Sequence, residues 1–273
     1  MISHPGIMRR LGLALSGGAT RGLAHIGVLQ AFEENHVKPE YISGTSIGAF
    51  VAALYAFGVP PDEIRIIGQG MAPMRVSTFS VSRLALFSNE ELGRLIQAKI
   101  GKARIEDALI HLAIVTVDIG TGKKIVLRRG EVAPAVMASN AVPGLFRPIT
   151  IDGMLLVDGG IAEDVPISPL RPMGADLITA VNLSAERNYS RPNDIIDVVL
   201  NAIDIAIDEN TKQQVSRADV LIEPQLSHFA RLDVSRIDDL IAEGYRATTA
   251  SMDRIQYLLN QPAERADEVM LAS

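Results

Sequence analysis

Residues 47–57 read IGAFVAALYAF, about three helical turns without a polar face. A helix that is apolar all round has nowhere to sit but the core. Directly before it, 41–45 (YISGT) is too short for a helix and suits a buried strand, while Gly58 suits the helix's C-cap. A short strand therefore runs without a linker into a fully buried helix. Burying such a unit takes a sheet with helices packed over it. A chain of 273 residues, 48% of them hydrophobic and 21% charged, has the material for that core.

The alternation continues along the chain. Strands are expected at 11–16, 41–45, 111–118, 124–128, 154–157, 177–183 and 220–222. Helices are expected at 23–34, 47–57, 62–71, 89–100, 131–139, after Pro192, and over 235–259. Gly120, Thr121 and Gly122 supply the turn that pairs 111–118 with 124–128. This rhythm predicts an α/β fold, a mostly parallel central sheet covered by helices. No repeat, low-complexity tract or divisive linker interrupts it. Residues 1–273 are expected to form one domain whose motif-bearing core covers about 10–185, with a helical C-terminal part over about 186–273.

Composition removes several chemistries. Without cysteine there is no thiolate nucleophile, disulfide scaffold or zinc–thiolate site. No HExxH or close His/Asp grouping points to another metal, and Asp118, Asp152 and Asp164 read as turn carboxylates. Only 4% aromatics, no tryptophan and a net charge of −6 argue against a nucleic-acid partner. The charge is uneven: 65–105 carries seven basic and two acidic residues, 186–273 nine basic and sixteen acidic. Solvated helix faces account for this, and a basic lip toward anionic lipid, including Arg75 and Arg83, is the functional alternative. The first ten residues lack an apolar signal core, and the longest apolar run, 49–59, is too short to cross a bilayer. The expectation is a soluble cytoplasmic protein, compatible with peripheral contact at a membrane surface.

Gly44-Thr45-Ser46-Ile47-Gly48 matches G-x-S-x-G in the strand–turn–helix context that exposes a serine oxygen. Side chains at Gly44 and Gly48 would collide as the chain doubles back. Ser46 also stands at a helix N-terminus, which favours developing negative charge. A serine N-cap with packing glycines is the structural alternative. Ser16-Gly17-Gly18-Ala19-Thr20-Arg21-Gly22 is a second turn between strand and helix. It departs from the dinucleotide fingerprint at Ala19 and lacks the Gly-Lys-Ser/Thr of a P-loop. Its amides, with that of Ile47, suit an oxyanion hole, and a tight turn alone would also use these glycines. For a base, His228 has the chain order of a Ser–Asp–His triad but no confirming motif. Asp158, ahead of Gly159 and Gly160, stands at a strand's C-terminal edge, where open α/β sheets build sites. A D-G turn is its ordinary alternative.

These three motifs, in this order, make the chain resemble the patatin-like phospholipase family. The stretches 23–29 (LAHIGVL) and 138–148 (ASNAVPGLFRP) are similar to the family's first helix and to its segment before the D-G-G strand. The resemblance implies a three-layer α/β/α fold and hydrolysis of lipid acyl esters by a Ser–Asp dyad without a catalytic histidine. It also implies that no metal or cofactor is needed. Carried over, Ser46 is the nucleophile, Asp158 the base, and Gly17, Gly18 and Ala19 the oxyanion loop. Arg21 takes the place of the family's basic residue and is expected to hold the loop. Alanine at 19, where the family has glycine, requires an amide aimed with negative φ. The implied partner is a lipid acyl ester. The alternative is a non-hydrolytic acyl-binding or regulatory protein on the same fold. The Met- and Phe-bearing segment 71–87 is expected to form a lid or groove wall, or else ordinary core.

Overall fold

The computed structural model describes residues 9–70, 89–185, 187–189, 191–229 and 236–262. The segment 71–87, with Arg75 and Arg83, lies outside the described residues. From the N-terminal side run β1 (Leu11–Leu15), α1 (Ala24–Glu34), β2 (Tyr41–Thr45), α2 (Ile47–Ala56), α3 (Pro61–Gly70) and α4 (Asn89–Ile100). Then come β3 (His111–Asp118), β4 (Lys123–Leu127), α5 (Val132–Ser139), β5 (Ile149–Ile151), β6 (Met154–Asp158), α6 (Gly160–Glu163) and α7 (Leu170–Met173). Last are β7 (Leu177–Val181), α8 (Ile195–Gln214), β8 (Val220–Ile222) and α9 (Ile237–Leu259). The expected elements are all here, with their ends moved by a residue or two. β5 was not anticipated: three residues before the Asp152–Gly153 turn are too few to show a period.

The described strands form an eight-stranded sheet ordered β5-β6-β3-β2-β1-β7-β8, with β4 also on β3. The stretch β3-β2-β1-β7-β8 is parallel, as the strand–helix rhythm predicts. β4, β5 and β6 pair antiparallel, so the sheet is mixed. Strand order reverses direction at β1, whose neighbours are β2 and β7. Loops leaving such a switch point open a crevice at the strands' carboxyl ends.

Leu11, Leu13 and Leu15 of β1 enter the larger core with α1, α2 and α9, while Ala14 faces the smaller core with Val165, Ile167 and Leu170. This alternation reflects the two-residue period of a strand covered on both faces. All ten residues of α2 are buried, as its missing polar face requires. α9 crosses α1 where Gly27 and Gly244 let the backbones touch. A Cβ on Gly244 would lie 2.7 Å from the Ala24 carbonyl carbon. Backbone cannot step aside as a flexible side chain can. Gly244→Ala is expected to cost about 3 kcal/mol in chemical denaturation, the upper range for overpacking, and a loss below about 0.5 kcal/mol would contradict the close crossing.

Candidate active site

Two strands approach one point of β3 from opposite directions. Thr45, the last residue of β2, pairs with Val115, and Asp158, the last residue of β6, pairs with Thr116. Ser46 follows Thr45, so strand register brings Ser46 and Asp158 to the same junction. Gly159 belongs to it too, since a Cβ there would lie 2.6 Å from the Val115 carbonyl carbon.

Ser46 has φ 54° and ψ −128°, a backbone conformation that costs a side-chain-bearing residue about 1–3 kcal/mol. Its neighbours hold it there. The Ser46 amide donates to Ser139 Oγ (2.8 Å), and that hydroxyl donates to the Val115 carbonyl (2.7 Å). Asn140 Nδ2 donates to the Ser46 carbonyl (2.8 Å). A Cβ at Gly44 would meet Ala49 Cα at 2.5 Å, and one at Gly48 the Leu15 carbonyl carbon at 2.7 Å. The Ser46 side chain makes no capping hydrogen bond, so the N-cap alternative is not realised. From Tyr41 to Ala56 it is the one residue that is not buried. Ser139 and Asn140 escaped the residue-by-residue reading, although a polar pair closing an apolar helix was the available signal.

The glycine loop lies beside this serine. The Gly17 amide donates to the Asp164 carbonyl (3.2 Å), so it is not available as an oxyanion donor. The amides of Gly18, Ala19 and Ile47 meet no backbone carbonyl among the described residues. Gly18 takes φ 151°, and Ala19 takes φ 51°. The negative φ expected at Ala19 is therefore corrected. The chain leaves Gly18 directly into a single 3₁₀ turn over Ala19–Leu23, closed by the Arg21 amide on the Gly18 carbonyl (3.2 Å), and that path demands a left-handed residue. Arg21 is buried, and its Nε and Nη2 donate to the Phe229 carbonyl (3.2 and 2.8 Å). It ties the loop to the segment carrying His228 and Phe229.

Gly17, Gly18, Ala19, Arg21, Ser46, Ile47, Asp158 and Gly160 all border one cavity of about 470 Å³. Gly44, Gly48 and Gly159 stand behind it as close-packing positions. The apolar wall includes Leu92, Leu145, Phe146, Leu200, Ile203 and Ile207. α8 thus brings the acidic C-terminal part into the site, with Asp197 and Asp204 on the wall. The basic-lip idea does not carry over to the described residues of 65–105. Arg65, Arg94, Lys99 and Arg104 pair with Asp238, Glu91, Glu63 and Glu106, and none of the four borders the cavity.

The histidines divide. His25 is buried, with Nε2 2.9 Å from the Ser16 carbonyl, and burial lowers its pKa to about 4. It is a neutral core residue. His111 stacks on Tyr41, away from the cavity. His228 does border the cavity, against the Phe229 ring. Asp158 is buried, and its Oδ1 accepts from the Gly160 amide (2.8 Å). Asp118 is a turn carboxylate as expected, accepting from Gly120 N (3.1 Å) and Thr121 Oγ1 (2.7 Å). Asp164 is not: it is buried in the cavity wall, because the chain after α6 folds back under the glycine loop.

A family model described as patatin-like phospholipase matches residues 13–171. An uncharacterised NTE family protein of Mycobacterium tuberculosis is 35% identical over 178 residues, covering 64% of this chain and 49% of that protein. A Pyricularia oryzae protein named lysophospholipase NTE1 is 28% identical over 273 residues, covering 87% of this chain and 18% of that protein. The chain thus spans about half or less of the length of these relatives. The crystal structure of VipD from Legionella pneumophila has a TM-score of 0.50 at 15% identity, covering 93% of this chain and 67% of that one. At that identity the likeness concerns the fold, and it agrees with the three-layer α/β/α architecture.

Proposed function

Because the chain belongs to the patatin-like phospholipase family, we propose that it is a serine lipid acyl hydrolase in which Ser46 and Asp158 form the catalytic dyad. The single observation that carries this reading is the strained, partly exposed Ser46 lining an apolar cavity that Asp158 also borders. Strain held by surrounding structure concentrates where a side chain is needed for chemistry. The cavity's volume falls within the range of small-molecule sites, and its aliphatic wall suits an acyl chain.

The proposed reaction uses these positions as follows. Asp158 accepts the Ser46 hydroxyl proton as Oγ attacks the ester carbonyl carbon. The oxyanion is stabilised by the Gly18 and Ala19 amides together with that of Ile47, at the positive end of α2. Collapse breaks the ester bond, and the alcohol leaves with the proton from Asp158. Water then hydrolyses the acyl-serine with Asp158 again as base, releasing the fatty acid. Arg21 positions the loop through Phe229 and does not touch the reacting atoms. Residues 1–273 are read as one catalytic domain, since α8 walls the cavity and α9 packs on α1. A cytoplasmic enzyme with peripheral access to membranes fits the described residues, in which no helix is long and apolar enough to cross a bilayer.

A panel of esters varied in chain length and head group, run beside fluorophosphonate labelling, tests the proposal. Labelling and hydrolysis are both expected, with preference for acyl substrates. Folded protein that binds acyl chains yet neither labels nor hydrolyses would overturn it in favour of a binding role.

A further inference from the structure

Two carboxyl groups, not one, converge behind the serine. The position a Cβ would take on Gly160 lies 3.2 Å from Asp158 Oδ1 and 3.2 Å from Asp164 Oδ1. The corresponding position on Gly17 lies 2.5 Å from Asp164 Oδ1 and 3.3 Å from Ser46 Cβ. Asp164 Oδ1 is therefore within about 6 Å of Ser46 Cβ, inside the range where charges interact strongly in a low-dielectric site. The backbone carbonyl of Asp164 holds the Gly17 amide, so the residue is tied to the glycine loop by main chain as well.

The surroundings of this carboxyl disfavour an anion. Asp164 is 5% exposed, and its Oδ2 is buried with no hydrogen-bond partner among the described residues. Arg187 faces it, but that guanidinium is already shared between Asp204 (2.6 Å) and Asp208 (3.2 Å) on α8. Tyr189 donates to Asp208. Glu163, next in sequence, turns away to Lys124 (2.7 Å) and Ser168. One arginine thus meets three carboxyls, Asp164, Asp204 and Asp208, and Asp158 adds a further negative charge beside Asp164. An orphaned oxygen is far less costly on a neutral carboxyl than on a charged one.

Resting on the dyad reading above, we infer that Asp164 is a positioning residue for the same reaction: its backbone carbonyl braces the Gly17 turn while its carboxyl, packed against that turn, stays neutral, and ionisation of the carboxyl puts a second negative charge beside the oxyanion and turns the site down. Burial pushes this carboxyl up to about 7, Arg187 opposes the rise, and Asp158, Asp208 and Asp204 add to it. Below about pH 7 Asp164 is protonated and the loop amides act on the oxyanion unopposed. Above it the new charge opposes the charge that develops on the substrate oxygen. Paired carboxyls with separated proton affinities divide their roles in this way.

The test is the pH profile of kcat/KM on a soluble short-chain ester, which reports the free enzyme's titrations. The parent is expected to lose activity above pH 7, up to about tenfold per pH unit. Asp164→Asn keeps the size and the neutral state. It is expected to stay within about threefold of the parent at pH 6 and to be about tenfold more active at pH 8.5. Infrared titration of the ligand-free protein is the second reading. The carbonyl band of a protonated buried carboxyl should persist to near pH 7 and be missing in Asp164→Asn. If that variant fails to fold, the parent alone decides: the alkaline limb of kcat/KM must coincide with the loss of the band. An alkaline limb unchanged in Asp164→Asn, or a band that titrates elsewhere, would overturn the inference. Absence of Ser46-dependent hydrolysis in the parent would instead overturn the hydrolase reading, and this inference with it.

Discussion

Replacing Ser46 with alanine is expected to lower ester hydrolysis by about ten-thousand-fold or more, with the fold intact, because the proposed nucleophile acts as part of a unit that cannot work without it. Fluorophosphonate labelling should vanish with it. The backbone adds a second consequence. Ser46 sits at φ 54°, where any residue with a Cβ is strained. Ser46→Ala keeps that strain, whereas Ser46→Gly releases it. The glycine variant should therefore be equally inactive yet about 1 kcal/mol more stable than the alanine one, since a left-handed backbone costs L-residues roughly that much. The turn itself survives both changes. Its amide bond to Ser139 Oγ and the Asn140 bond to its carbonyl are main-chain contacts that no substitution at 46 removes. Denaturant unfolding of the three proteins, beside their activities, checks this. Undiminished hydrolysis in Ser46→Ala would remove the serine from the chemistry altogether.

The second large effect separates a dyad from a triad. Asp158→Asn preserves shape and still accepts the Gly160 amide through its carbonyl oxygen, but it cannot take a proton. A loss of about a thousand-fold or more in kcat is expected, comparable to removing a general base together with its charge. His228→Ala is expected to lose less than about tenfold, since His228 borders the cavity beside Phe229 without a role in the proposed proton path. The two variants must be compared under one set of conditions. Near-parental turnover in Asp158→Asn with collapse in His228→Ala would replace the dyad with a histidine-based triad.

Most of the architecture was legible in the linear pattern because period and punctuation are local signals. The apolar helix after Ser46, the strand at 177–183 and the turn at 120–122 each announce themselves within a few residues. The antiparallel pairing of β5 and β6 was not legible, because β5 is too short to carry a period and the direction of pairing of β6 depends on where the chain returns in space. The same division runs through the site. Ser46, Asp158 and the glycine loop carry turn motifs that can be read directly. Ser139, Asn140, Arg187 and Asp164 carry none, for their meaning comes from partners 17 to 147 residues away, such as Asp204 for Arg187 and Gly17 for Asp164.

By itself the sequence determined that a buried helix follows a strand at Ser46, that no thiolate nucleophile is available, and that glycine stands where strand and helix double back at 44 and 48. Those are properties of residue types and spacing. Tertiary structure decided what the types could not. β3 offers consecutive partners to β2 and β6, so Ser46 and Asp158 end at one junction. The Gly17 amide is spent on the Asp164 carbonyl, whereas the amides of Gly18, Ala19 and Ile47, residues that also border the cavity, meet no backbone carbonyl among the described residues. An aspartate that reads as a turn carboxylate lies buried among like charges beside the serine. The physical reason is that burial and the electrostatic field are sums over neighbours from the whole chain, and no local pattern encodes such a sum.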